Sequence, residues 1–271
     1  MDEFIFNSIN ITSTAATITT LLGAEKPEHA AAPIDLVLEK AKKAFGKAKA
    51  DRVFMYNPDA VALWLYQKHT QLFAGAALNS ELALPIHSVM PSVTPVCFAS
   101  MYTGAMPAVH GIRTYTKPVL SIETVFDSLI KAGKKPAIVS TEGDSISKIF
   151  LEREMDYFIY DSVEECNAKA FELIEKDEYD LIVLYNGDYD STMHKLAPEG
   201  VESLKVLEKN CDTYALLHEK ISECWKKHDS ALFFAPDHGC HEIDGKSGSH
   251  GLEMPEDMNI IHFYSFIPHA E

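Results

Sequence analysis

Apolar residues fall into two alternating patterns along this chain. Short apolar runs recur at Val53–Tyr56, Pro136–Ser140, Tyr157–Tyr160, Leu181–Tyr185, Ala231–Ala235 and Asn259–Phe263. Runs of this length between turn residues read as buried strands. Between them apolar residues recur at helical spacing. Ala15–Leu22, ended by Gly23, is an expected helix. So is the segment opened by Pro33, with Ile34, Val37, Leu38, Ala41 and Phe45 on one face and Gly46 closing it. Others follow Asp59 (Val61, Trp64, Leu65 and Leu72 on one side), lie between Thr94 and Gly104, cover Ile122–Ala132, and run from a Ser162/Glu165 capping box through Ile174. A long helix from about Val201 to Lys227 carries Leu204, Leu207, Cys211, Tyr214, Leu217, Ile221 and Trp225 on one face. Strands alternating with helices predict an α/β fold, a mostly parallel central sheet with helices on both faces. Residues 1–50 are expected to be a helical lead-in packed on a core domain that spans 51–271.

Charge and composition narrow the partners. The formal net charge of −16 argues against duplex nucleic acid and against an anionic membrane surface. It does not exclude a small anionic substrate, because a bound metal inverts the local field. No apolar run is long enough to span a bilayer, and MDEFIFNSIN lacks the basic-then-apolar pattern of a signal peptide. The five cysteines are scattered, with no C-x-x-C pair, and read as free thiols of a reducing compartment. A cytoplasmic protein is expected.

Candidate chemistry sits where the strands end. Ala231–Ala235 passes through Pro236 into Asp237-His238-Gly239, and His250 follows within Gly248-Ser249-His250-Gly251. Leu181–Tyr185 leads to Asp188, Asp190 and His194, of which the last two share a face if the segment is helical. Val53–Tyr56 leads to Asp59. In a parallel sheet such ends lie on one edge, where open α/β sheets bind their ligands. Each feature has a plainer explanation: Asp59 as a helix N-cap, Asp-His-Gly as a turn, Asp190 and His194 as the start of a surface helix, Thr94 as the cap before Pro95. Taken together, Asp59, Asp190, His194, Asp237, His238 and His250, with the Thr94 hydroxyl on a helix N-terminus, meet the needs of a two-metal phosphoryl-transfer site. The mixed His/Asp set suits Zn²⁺ first, and Mn²⁺ or Fe as well. Cys97 and Cys240 read as small buried thiols.

These blocks resemble the alkaline phosphatase superfamily, most closely its type I phosphodiesterase/nucleotide pyrophosphatase branch. Pro-Ser-Val-Thr94, then Thr103-Gly104 and Pro107-x-x-His110-Gly111-Ile112, is similar to the nucleophile block; Asp190-Ser-Thr-Met-His194 and Asp237-His238-Gly239 are similar to the metal-binding blocks. The likeness covers roughly residues 51–265. It implies an alkaline phosphatase-like fold with little or no cap domain. It implies two divalent metal ions, one held by Asp190, His194 and His250, the other by Asp59, Asp237, His238 and the Thr94 oxygen. The implied activity is hydrolysis of phosphodiester or nucleotide pyrophosphate bonds of a small phosphorylated substrate, through a phosphothreonine on Thr94. A phosphomonoesterase, a phosphonate hydrolase and a phosphomutase fit the same residues, and a non-catalytic metal-binding regulatory protein is the alternative of another class. Two departures stand out. Ala60 occupies the position where the family usually has glycine. No asparagine matches the family's phosphoryl-oxygen binder, so Arg113 or Lys117 is expected in that role. His110 reads as structural.

Overall fold

The computed structural model describes residues 5–270; the first residues of the expected lead-in (1–4) and residue 271 lie outside the described part. The chain opens with a two-residue strand, β1 (Ile9–Asn10), followed by α1 (Ser13–Leu21) and α2 (Asp35–Phe45). Then come β2 (Arg52–Pro58), α3 (Leu63–Lys68), a 3-10 turn (Thr70–Phe73), α4 (Ala74–Ala77), β3 (Leu82–His87), α5 (Thr94–Thr103) and α6 (Pro107–His110). Next are α7 (Val125–Lys131), β4 (Pro136–Thr141), α8 (Ile146–Ile149), β5 (Asp156–Tyr160), α9 (Val163–Lys176), β6 (Leu181–Asn186) and α10 (Asp188–Leu196). The last elements are α11 (Val201–Cys224), β7 (Ser230–Phe234), the hairpin β8 (His241–Ile243) and β9 (Ser247–Ser249), α12 (Pro255–Met258) and β10 (Asn259–Ile267).

Among the described residues eight strands form one sheet in the order β1-β3-β10-β7-β2-β6-β4-β5. Strand β10 runs antiparallel to both neighbours, and every other pairing is parallel. This is the mostly parallel α/β sheet expected. Its apolar runs are unbroken because both faces are covered. Along β2, β6 and β7, Val53, Met55, Leu181, Val183, Ala231 and Phe233 join one core cluster. The alternate residues Phe54, Tyr56, Ile182, Leu184, Leu232 and Phe234 join the other. Helices α1, α2, α5 and α7 contribute to the first cluster, and α3, α9, α10 and α11 to the second. Each enclosed side chain of leucine size contributes about 1.5–3 kcal/mol, so the central strands are fixed from both sides. Among the described residues no helix is long and apolar enough to cross a membrane.

Several elements differ from expectation. The polar segment from Asn7 to Thr14 supplies β1, paired in parallel with β3 through Ile9 and Ile86. Strand β3 carries Pro85 and buries only Leu84 and Ile86 well, so its apolar signal is weak. The single helix expected after Asp59 is three short pieces. Helix α7 starts at Val125, because Thr124 and Asp127 close a capping box there. Helix α11 ends at Cys224, and the indole of Trp225 donates to the Ile174 carbonyl at 2.9 Å.

Candidate metal centre

Strand β2 lies between β6 and β7, with Pro58 opposite Asn186 and Tyr56 opposite Phe234. Three neighbouring strands therefore end at one level, and each delivers polar residues there. Asp59 follows β2 directly, its amide donating to the Asn186 carbonyl at 2.9 Å. It is not a helix cap: α3 starts at Leu63 with Ala62 before it. The intervening Ala60 has φ 65°, the left-handed region that favours glycine. Its amide instead donates to Asp237 Oδ1 at 3.4 Å. Asp237 and His238 lie just beyond β7. Asp190 and His194 are one turn apart on α10, and His250 follows the β8–β9 hairpin. That hairpin lies tight on α10: a Cβ on Gly248 would meet Met193 Sδ at 2.5 Å. The Gly248 carbonyl accepts from His194 Nδ1 at 2.9 Å.

The structure brings these side chains into two triads, Asp59/Asp237/His238 and Asp190/His194/His250. In the first, His238 Nε2 lies 3.3 Å from both Asp59 Oδ1 and Asp237 Oδ2. In the second, Asp190 Oδ1 is 3.2 Å from His194 Nε2 and 3.4 Å from His250 Nε2, and the two imidazole nitrogens face each other at 3.1 Å. Metal–ligand bonds of about 2.0–2.1 Å in a tetrahedral site put neighbouring donors about 3.3 Å apart. Two further observations fit a cation. Asp59 Oδ1, Asp190 Oδ1 and Asp237 Oδ2 are buried acceptors without a hydrogen-bond partner. All three histidines also spend Nδ1 on a backbone carbonyl (His194 on Gly248, His238 on Gly239, His250 on Ser92), each at 2.9 Å, which leaves Nε2 for a ligand.

The electrostatics separate the triads. Burial, then the charge of Asp190, pushes Asp59 up to about 7. Burial and the adjacent Asp59 push Asp237 well above the usual carboxylate range. Burial holds His238 well below the usual histidine value. In the second triad burial pushes Asp190 up, but His194 and His250 outweigh it and hold the group far down. Asp190 in turn raises His194, and it raises His250 against the opposing effect of burial. Without a metal, protons on this cluster stand where cationic charge belongs.

Thr94 is the first residue of α5 and not its cap; Val93 takes that position, with no side-chain cap bond. The Thr94 hydroxyl is therefore free to face the centre. Its Oγ1 donates to Asp59 Oδ2 at 3.3 Å and lies 3.3 Å from His238 Nε2. The expected cradle of helix amides is thinner than anticipated. Pro95 has no N–H, and the Val96 and Cys97 amides both donate to the Val93 carbonyl at 3.0 Å. The Thr94 amide alone is left for an anion.

A cavity of about 520 Å³ opens onto Thr94, Asp59 and Asp190 and is also lined by Tyr115, Lys117 and Tyr185. Of the two expected phosphoryl-oxygen binders, Lys117 is on this wall, its Nζ donating to the Gly143 carbonyl at 2.8 Å. Arg113 is not among the lining residues; it donates to the Ala108 carbonyl on the exposed surface. The outer wall carries Glu142, Asp144, Asp161, Glu164 and Asp188. Asp188 thus faces the cavity without joining a triad. His241 is held by Asp257 at 2.7 Å. His110 is buried, bonded to Ser100 Oγ at 2.9 Å and accepting from the Ile112 amide at 3.2 Å, and burial lowers it to about 4. That is a structural role. Cys97 and Cys240 are buried thiols. Sequence reasoning missed Tyr185, whose hydroxyl donates to Asp59 Oδ2 at 2.6 Å. The available signal was a phenol directly after the aliphatic run Leu181–Leu184, near the C-terminal end of its strand.

No known family model matches the chain, and no curated protein matches its sequence. Solved structures do share its fold. Murine ectonucleotide pyrophosphatase/phosphodiesterase 5 aligns with a TM-score of 0.57 at 17% identity, over 71% of this chain and 58% of that one. The human protein of the same name aligns at 0.57 and 18%, with the same coverage. Phosphonoacetate hydrolase from Sinorhizobium meliloti, in complex with phosphonoformate, aligns at 0.54 and 20%, over 72% of this chain and 59% of that one. The chain therefore spans less than two thirds of the length of each. The fold of this chain is theirs, the α/β fold that the resemblance implied.

Proposed function

We propose that this chain is a two-metal phosphoesterase that hydrolyses phosphodiester or nucleotide pyrophosphate bonds through a phosphothreonine on Thr94. The observation that carries the reading is the position of Thr94 Oγ1, 3.3 Å from both Asp59 and His238 on the floor of a cavity that Asp190 also lines. Asp190, His194 and His250 would hold one divalent ion, and Asp59, Asp237, His238 and the Thr94 oxygen the other. When bound, the ions acidify the hydroxyl and neutralise the phosphoryl oxygens. Zn²⁺ suits the donors first, with Mn²⁺ or Fe next.

The chain's own residues supply the rest. The Thr94 proton leaves to solvent in the open cavity as the hydroxyl gives up its 3.3 Å bond to Asp59 Oδ2. Thr94 Oγ then forms its bond to phosphorus as the bond to the leaving oxygen breaks, and the leaving group takes a proton from solvent. The Thr94 amide and the positive end of α5 face the charge that develops on the transferring group. Water then attacks the phosphothreonine, releasing phosphate or a phosphomonoester and restoring the hydroxyl. The acidic outer wall, with Lys117 as its cation, disfavours a polyanionic leaving group. It favours substrates whose charge is confined to the transferred group, and a phosphodiester fits that better than a nucleotide pyrophosphate. A phosphonate ester fits equally, and a similarly folded enzyme has been solved with phosphonoformate, while an inactive variant of the murine protein has been solved with AMP. The five free cysteines suit a reducing compartment such as the cytoplasm.

The test compares a nitrophenyl phosphate monoester, a bis-nitrophenyl diester and a phenylphosphonate ester, with wild type and Thr94→Ala, after metal removal and re-addition. A metal-dependent diester preference that the variant loses supports the reading. A phosphonate preference selects the second one. A monoester preference moves the activity to a phosphatase or mutase. No turnover with metal bound and the fold intact contradicts catalysis and favours a metal-binding regulatory protein.

A further inference from the structure

Asp59 uses its two oxygens differently. Oδ1 faces His238 Nε2 at 3.3 Å and has no hydrogen bond. Oδ2 accepts from Tyr185 at 2.6 Å and from Thr94 at 3.3 Å. Tyr185 is the penultimate residue of β6, directly beside Asn57 of β2 in the sheet register. It is 6% exposed, with its ring edge-on to Phe98 at 5.8 Å, so the phenol has little freedom to point elsewhere. Gly187, two residues on, has φ −95°, a backbone that any residue adopts. A Cβ there would nonetheless meet the Tyr185 hydroxyl at 2.7 Å. The loop between β6 and α10 is therefore shaped around that hydroxyl.

We propose that Tyr185 is the positioning residue of the buried metal site: its hydroxyl occupies Asp59 Oδ2, so that Oδ1 alone is presented to the ion and Thr94 keeps only a long bond to the carboxylate. This rests on the reading of Asp59 as a metal ligand. Three consequences follow from the geometry. Asp59 binds through one oxygen, because the other is engaged by a short charge-assisted bond. The carboxylate plane is fixed before the ion arrives, which lowers the ordering cost of binding. Thr94 is the weaker of two donors on Oδ2, so its hydroxyl is released more easily toward a substrate.

The experiment is a metal titration of the full-length protein, using Zn²⁺ alone as the probe, on wild type, Tyr185→Phe and Gly187→Ala. The phenylalanine keeps the ring against Phe98 and removes only the bond. The alanine keeps the hydroxyl and pushes it off Asp59. Loss of a hydrogen bond to a metal ligand typically costs about 10–100-fold in metal affinity. We expect that loss in one of two sites, the other unchanged, in both variants, with diester turnover recovering when Zn²⁺ is raised to saturation. Affinity equal to wild type in the folded variants overturns the inference. So does unchanged affinity with a turnover defect that saturating Zn²⁺ does not repair, since Tyr185 would then act on the substrate and not through Asp59. A wild-type protein that binds no Zn²⁺ at either site is a separate outcome: it removes the metal-centre reading on which the inference stands.

Discussion

The two triads meet the same chemical need from different parts of the fold. Asp59, Asp237 and His238 sit at strand ends and are sealed, at 1%, 0% and 0% exposure. Asp190, His194 and His250 come from one helix and one loop, and the His194 side chain is 40% exposed. The sealed triad places two carboxylates beside each other with one neutral imidazole, so without a cation its acids are held protonated. The open triad pairs one carboxylate with two imidazoles whose pKa values it raises. The first has no cationic partner of its own among its three side chains; the second already sets imidazoles beside its carboxylate. In the proposed centre, rigid strand ends would suit the ion beside Thr94, and the more exposed helix would suit the ion that meets incoming substrate.

The largest expected effect falls on the residue between the triads. Thr94→Ala should lower turnover by on the order of 10³-fold or more while metal content stays at the wild-type level; parallel rate and metal analyses check this. If metal is lost together with the fold, the threonine is a fold element first. The next effect should split the triads. Asp237→Asn and His194→Ala should each remove one ion, as read by metal analysis. Only Asp237→Asn should also lower the thermal midpoint of the loaded protein strongly, because it leaves buried donors unpaired. Breaking a buried charge set in this way typically costs about 3–5 kcal/mol. Equal midpoints for the two variants would erase the distinction drawn between the sites.

A smaller effect should appear with pH. Asp59 is raised to about 7, Asp237 is raised well above the usual carboxylate range, and His194 and His250 lie above the usual histidine value. Raised groups hold protons in the metal-free protein that ligation must displace. Affinity should therefore rise with pH between about 5 and 8, by about tenfold per unit for each proton released. Calorimetry in buffers of different ionisation enthalpy would count those protons. A pH-independent affinity would mean that the ligands are already deprotonated. The smallest effect belongs to Ala60, whose left-handed backbone costs about 1–2 kcal/mol against glycine, less the entropy glycine adds to the unfolded chain. Ala60→Gly should raise unfolding free energy by about 1 kcal/mol or less in chemical denaturation, with metal affinity unchanged.

The difference between the triads also marks what could be read from sequence. Asp59 and Asp237-His238 follow directly on apolar runs, so strand prediction alone placed them on the ligand edge. Asp190 and His194 were legible through their spacing of four. His250 was named from its Gly-Ser-His-Gly setting and from the resemblance, and not from periodicity, because its contact depends on a polar hairpin lying on α10 through Gly248. Strands β1 and β3 were missed for a related reason. Their backbone bonds hold them in the sheet, while their side chains are polar, proline-containing or half exposed. Thr94 read as a cap and proved to be the first helical residue; N-cap and N1 differ by one φ/ψ pair, which residue preference does not resolve. Arg113 was placed by charge alone, and its partner, the Ala108 carbonyl, turns it to the outer surface.

The central claim is that Thr94 carries the transferred group between two metal-binding triads. Acid quenching of the metal-loaded protein during turnover of the diester, followed by mass spectrometry of the peptide containing Thr94, tests it most directly. The account predicts one added group on Thr94, the diester's phosphoryl group still carrying its second ester substituent, that appears with substrate, requires divalent metal and vanishes once substrate is exhausted. Steady turnover with no phosphoryl group on Thr94 at any quench time, or with the group on another side chain, would contradict it.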